Sequence, residues 1–191
     1  MPVDTIRPPA ALVVIDLQRG ITALPTIGSA DDVVARSARL ADAFRERGLP
    51  VVLVNTAFSS GGADALRPAT DAQAPVRKMD ADFAVLRPEL GDDPADVRIT
   101  KRQWDAFHGT ELDLQLRRRG VRSIVLTGIS TSIGVESTAR QGYFLGYELV
   151  IPSDAVTDTN PASHDDALER IFPRLGRIDT TDAILAALPD R

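Results

Sequence analysis

The segment Ser123–Arg140 constrains the fold more than any other part of the chain. Ile124, Val125 and Leu126 make an apolar run of strand length, Thr127 and Gly128 end it, and from Gly134 onward Val135, Ala139 and Tyr143 recur at the i, i+4, i+8 spacing of one helix face. The turn between them therefore belongs to the carboxyl end of a buried strand and the amino end of a helix, the place where open α/β sheets bind ligands. Backbone N–H groups and the positive end of the helix dipole converge there and can hold a carboxylate or a developing oxyanion. Ser130, Thr131 and Ser132 add hydroxyls, and Gly134 lets a ligand come close to the main chain.

The rest of the chain repeats the strand-then-helix grammar. Ala11–Ile15 is continuously apolar, as a central parallel strand is, and stops at Asp16. Asp31 and Asp32 open a helix carrying Val34, Ala38, Ala41 and Phe44 on one face and ending at Gly48; Pro50–Asn55 is then a second strand, which makes a right-handed β-α-β unit. Val97–Thr100 is a short strand ending at Lys101, and Thr110–Leu116 begins a helix that stops at Gly120. The helix from Gly134 runs to about Gly146, Tyr147–Ile151 is a strand with Asp154 beyond it, and a helix runs from Pro161, placed in the first turn, to about Ile171. A brief strand near Arg177–Ile178 and a terminal helix from about Thr181 to Leu188 close the pattern. Between Ala57 and Asp96, prolines 68, 75, 88 and 94 interrupt any period, which suits a long surface excursion with short helices at most, either a binding loop or a plain insertion. The alternation predicts a single domain over 1–191, a three-layer α/β/α sandwich around a mostly parallel, Rossmann-like sheet.

Composition enters where it removes chemistry. With no cysteine in 191 residues, disulfides, thiolate metal sites and thiol nucleophiles are all excluded, and the two histidines, His108 and His164, fit no metal-binding spacing. No metal or other cofactor is expected. A net charge of -5 argues against broad binding to nucleic acid or to an anionic membrane surface. There is no apolar run of about 18 residues to span a membrane. The first residues lack a signal-peptide core, so a cytoplasmic location is expected. A nucleotide-binding oxidoreductase is disfavoured because no strand is followed by G-x-G-x-x-G.

Asp16, Lys101 and the turn 128–134 deliver polar groups to one sheet edge, and a carboxylate near an ammonium and preorganised backbone donors is a workable acid/base and charge-stabilising set. Each also has a plain reading: Asp16 as a loop cap, Lys101 as a solvated strand end, the hydroxyls as ordinary strand-to-helix residues. Trp104 either lines the pocket mouth or packs under Lys101. His108 reads as structural, and His164 as a surface group in a first helical turn. Arg77 and Lys78 could meet an anionic substrate, though solvated loop charges are commoner.

Leu12–Gln18, Thr100–Leu112, Thr127–Arg140 and Gly146–Val150 resemble, in order and spacing over nearly the whole chain, the isochorismatase-like hydrolases. The resemblance implies a six-stranded parallel sheet and a pocket built from an Asp, a Lys and a turn residue, here Asp16, Lys101 and Gly134. Ser130, Thr131, Ile133, Trp104 and Gln18 are then the substrate-binding residues. It also implies a non-proline cis peptide between Ile129 and Ser130. Most such proteins carry a nucleophilic cysteine where this chain has Gly134, so amidase chemistry through a thioester is not available. Glycine suits the isochorismatases proper, in which the Asp acts as general acid toward a vinyl ether, water completes hydrolysis and pyruvate leaves. A nicotinamidase-type metal motif, an Asp and two His after the second strand, is replaced by Asn55–Ser60. The resemblance thus implies a metal-independent hydrolase of a small carboxylated substrate, such as the vinyl ether isochorismate. The alternative is a member of the same fold that binds a ligand or serves an assembly without turnover. A homo-oligomer, dimer or higher, is expected as well.

Overall fold

The computed structural model describes residues 3–71 and 80–189; Pro75, Arg77 and Lys78 lie outside the described residues. Strands β1 (Ala10–Ile15), β2 (Val51–Thr56), β3 (Val97–Lys101), β4 (Ser123–Ile129), β5 (Glu148–Pro152), β6 (Val156–Thr157) and β7 (Gly176–Asp179) form one sheet in the order β3-β2-β1-β4-β5-β7, with β6 beside the end of β4. Its pairings are all parallel. Six strands make the continuous path; β6 adds a seventh, and its two residues are too short to show any period.

Each central strand is buried on both faces, and its residues alternate between two cores. Leu12 and Val14 of β1 face one core, with Val34, Leu40 and Phe44 of α2 (Ala30–Glu46, which follows the short helix α1, Arg19–Thr22). Ala11, Val13 and Ile15 face the other, with Leu112 and Leu116 of α3 (Leu112–Arg118) and Ala139 of α4 (Glu136–Phe144). Helix α2 starts one residue before Asp31: the Ser29 hydroxyl accepts from the Asp32 N–H at 3.2 Å, a cap of the kind that stabilises a helix by about 1 kcal/mol.

Two helices depart from the expected course. A widened, π-type turn over Thr131–Val135 precedes α4, so helical structure begins three residues before Gly134. The helix expected from Pro161 to about Ile171 divides into α5 (Pro161–Asp166), a second π-type turn (Ala167–Ile171) and α6 (Phe172–Leu175). Pro173 explains the division, because it has no N–H to give the preceding turn and its ring crowds the carbonyl there. The chain ends with α7 (Thr181–Ala186).

The excursion after β2 holds short 3-10 turns at Ser60–Gly62 and Pro88–Leu90. It returns to the sheet edge, where Leu86 bridges Gln18 antiparallel and the Phe83 ring covers Gly20. A Cβ at Gly20 would lie 2.1 Å from that ring, so any other residue there would displace it. Among the described residues, no helix is long and apolar enough to cross a membrane.

Candidate active site

Strand order reverses between β1 and β4: the chain works outward through β2 and β3, then returns to the other side of β1. In open α/β sheets the crevice at such a point receives ligands. Asp16 follows β1 and the 130–134 turn follows β4, so both stand at it. The two strands approach closely because Gly128 has φ 129° and no side chain; a Cβ there would sit 2.0 Å from the Ile15 carbonyl oxygen. The Ile129–Ser130 peptide, immediately beyond, is cis.

Asp16 has a left-handed backbone (φ 55°) while its N–H still donates to the Val54 carbonyl at 2.9 Å. Such a conformation is uncommon outside glycine, and Asp tolerates it better than most residues. Lys101 reaches the carboxylate from β3, two strands away, a separation of about 10 Å that only a long side chain crosses. Its Nζ lies 2.7 Å from Asp16 Oδ2 and donates to the Gln103 carbonyl at 3.0 Å. From the intervening strand, the Thr56 hydroxyl donates to Asp16 Oδ1 at 2.9 Å. Asp16 is 6% exposed and Lys101 2%. The plain reading of Lys101 as a solvated strand end therefore does not describe it.

Gly134 completes the arrangement. A Cβ built on it would lie 3.3 Å from Asp16 Oδ2 and 3.1 Å from Ile15 Cγ2. The turn thus presents bare backbone to the oxygen that Lys101 holds.

The remaining predicted residues divide by what they touch. Gln18 is fully buried and serves as a structural clasp: its Nε2 donates to the Thr56 and Phe83 carbonyls, both at 2.9 Å, and its Oε1 accepts from the Thr56 N–H at 2.7 Å. Ser130 and Ile133 are partly exposed at the turn. The Ser130 carbonyl accepts from the Ile133 and Val135 N–H groups, each at 3.1 Å. Thr131 has no exposed surface, and its hydroxyl lies 2.8 Å from His164 Nδ1. Trp104 is 66% exposed, so it does not pack under Lys101. His108 lies exposed, its N–H on the Asp105 carboxylate. Next to Lys101, Arg102 donates to Asp64 at 2.6 Å, which ties the start of the excursion to the site's flank. The Ser59 N–H and Arg102 together hold the Asp64 carboxyl down at about 2.

Two neighbours of the turn escaped sequence reasoning. Asp158, 1% exposed, accepts at Oδ2 from both the N–H and the hydroxyl of Ser132, each at 2.8 Å. His164 is only partly exposed and meets Thr131, which corrects its reading as a plain surface group. A short polar run after β5 was the available signal, but nothing in it names a partner about thirty residues earlier. Among the described residues, no group of three or more His, Cys, Asp or Glu side chains is placed to hold a metal ion.

Residues 10–183 match the isochorismatase domain family. The chain is 47% identical over 181 residues to the isochorismatase family protein YecD of Escherichia coli, covering 93% of this chain and 95% of that one. It is similar to the solved structure of an isochorismatase family protein from Burkholderia thailandensis, with 49% identity, a TM-score of 0.93, and coverage of 97% of this chain and 98% of that one. A more distant likeness, 28% over 209 residues, links it to the ureidoacrylate amidohydrolase RutB of Stutzerimonas stutzeri, covering 94% of this chain and 84% of the other.

Proposed function

The chain belongs to the isochorismatase family, and on that premise we propose that it is a hydrolase of small carboxylated molecules that works without a covalent protein nucleophile and without a metal. Asp16 is the acid/base and Lys101 the charge that holds it. The observation that carries this reading is the shared oxygen: Asp16 Oδ2 is 2.7 Å from Lys101 Nζ and stands opposite a turn residue with no side chain. At that position this chain carries no side chain that could serve as a nucleophile.

Lys101 and the Thr56 hydroxyl both donate to Asp16, so its oxygens are the acceptors to which a water could pass a proton. With a small amide, water gives a proton to Asp16 as its oxygen bonds to the acyl carbon, and that proton then passes to the departing nitrogen as the C–N bond breaks. With a vinyl ether, Asp16 takes up a proton from solvent and delivers it to the terminal vinyl carbon, water adds to the resulting oxocarbenium carbon as its own proton passes back to Asp16, and the hemiketal collapses to a ketone and an alcohol. The name of the RutB relative favours the amide; the glycine at 134 favours the vinyl ether.

A screen of carboxylated vinyl ethers against small carboxylated amides, run with a chelator, tests the proposal. Turnover of a member of either class that chelation does not reduce is expected, and loss of turnover on chelation overturns metal independence. A ligand-binding member without turnover is the second reading, kept by Gly134. It is favoured if a compound of the screen binds saturably and is recovered unchanged.

A further inference from the structure

We propose that His164 is a positioning residue of this site: its ring accepts the hydroxyl proton of the buried Thr131 and so fixes the first residue of the turn whose fourth residue, Gly134, meets Asp16. The inference rests on the assignment of the reaction to Asp16.

The argument begins with burial. Thr131 has no surface, and a hydroxyl removed from water must place its proton on an acceptor, because an unmade donor costs more than an unused lone pair. His164 Nδ1, 2.8 Å away, is that acceptor. Among the described residues every buried side-chain nitrogen and oxygen has a hydrogen-bond partner, so the fold already satisfies this demand. If Thr131 donates to Nδ1, the ring proton of neutral His164 resides on Nε2. The tautomer follows from the environment of the threonine.

The contact also has a direction in the fold. Thr131 and Ser132 are consecutive, and both are held from one stretch of chain beyond β6: Ser132 by Asp158 and Thr131 by His164 in α5. The Thr157 hydroxyl in turn donates to the Ile27 carbonyl at 2.6 Å, and the Ile27 N–H donates to the Asp158 carbonyl at 2.7 Å, so that stretch is itself anchored to the segment before α2. The turn carries two external ties at its start. Its far end is held by the Thr138 hydroxyl, which donates to the Gly134 carbonyl at 2.7 Å and accepts from the Ala106 N–H at 3.1 Å. With Gly134 only 3.3 Å, at its Cβ position, from Asp16 Oδ2, a small rotation of the turn changes what the carboxylate faces.

The experiment is imidazole nitrogen NMR on the full chain, followed through Thr131→Val, His164→Asn and His164→Ala. In the unaltered protein His164 should show a single Nε2–H tautomer, and Thr131→Val should return it to the mixture of a free histidine. The Gly134 amide resonance should move in His164→Ala and return toward its native position in His164→Asn, whose amide oxygen can stand in for Nδ1. An Nδ1–H tautomer, a ring unaffected by Thr131→Val, or equal Gly134 shifts in the two His164 variants would overturn the proposal. None of these readouts needs turnover. Failure of the hydrolase reading, seen as undiminished activity in Asp16→Asn, is therefore a separate result.

Discussion

Two ion pairs of the same length, each with an enclosed carboxylate side chain, occupy different places in this molecule. Asp16–Lys101 and Asp96–Arg45 are both 2.7 Å apart, and Asp96 is as thoroughly enclosed as Lys101. Asp96–Arg45 sits behind the sheet edge, where Arg45 also donates to the Leu90 carbonyl at 2.7 Å and pairs with Asp42, so it pins the end of the excursion to α2. Asp96 raises the Arg45 guanidinium further above its ordinary range, chiefly through their hydrogen bond. Asp16–Lys101 stands at the carboxyl ends of the strands, at the point where strand order reverses, and faces a glycine. Burying a charge pair is costly in either place, and a pair can be retained for structure or for chemistry. Burial alone does not separate these two roles; the position at the reversal of strand order, opposite Gly134, is what sets Asp16–Lys101 apart.

Breaking each pair should separate them. Asp16→Asn is expected to lower turnover between about a hundredfold and ten-thousandfold, the range for loss of a general acid or base. It also leaves the Lys101 ammonium buried beside a neutral amide, so stability should fall; Asp16→Asn combined with Lys101→Met removes both charges and should regain much of the loss. A double variant no more stable than the single one in thermal melts would contradict the account of the pair. Asp96→Asn should do the reverse: a loss of about 3 kcal/mol in denaturant unfolding, with turnover per folded molecule unchanged.

Gly134→Cys sharpens the contrast from the glycine side. The new Cβ comes 3.1 Å from Ile15 Cγ2, so a stability cost of about 1 kcal/mol is expected as that methyl gives way. The thiol should react with iodoacetamide faster than free cysteine at neutral pH, and more slowly once Asp16 is also Asn. An unreactive thiol in a folded protein would mean that the turn does not face the pair.

The smallest effect belongs to a partly exposed carboxylate. Asp179 accepts from the Val3 N–H at 2.8 Å and the Thr180 N–H at 2.9 Å, and these hold its carboxyl below the usual range. A folded value below the unfolded one gives stability that is complete above the unfolded pKa, about 3.9 for Asp, and is lost as pH falls through the folded value. Melting temperature followed from about pH 5 to about pH 2 should therefore decline less steeply in Asp179→Asn. An unchanged slope would remove Asp179 from the acid limb.

The sheet was legible because burial on both faces writes continuous apolar runs, as in Ala11–Ile15 and Ile124–Leu126, and because each run stops abruptly at a polar residue. Asp16 and Lys101 could be placed at one sheet edge because they sit where strands end, whereas Gly134 was named as their companion only by the family resemblance. The two-residue β6 and the four-residue α1 fall below any period. The early start of helical structure at Thr131 is invisible to i, i+4 spacing, since a π-type turn changes the spacing itself. His164 and Asp158 were missed because their partners are 33 and 26 residues away, and a polar residue in a loop looks the same whether it meets water or a buried hydroxyl. Gln18 was read as a substrate-binding residue; its side-chain amide bonds to the Thr56 and Phe83 backbone, a link that periodicity cannot foresee.

The central claim, that the Asp16–Lys101 pair facing Gly134 is a hydrolytic site, is tested most directly by one side-by-side assay. Native protein, Asp16→Asn and Asp96→Asn are incubated with the same vinyl ethers and amides at a temperature where all three are folded, and product is quantified. Hydrolysis by the native protein and Asp96→Asn, with product from Asp16→Asn lower by at least about a hundredfold, is the expected result. Equal product from Asp16→Asn would contradict the claim.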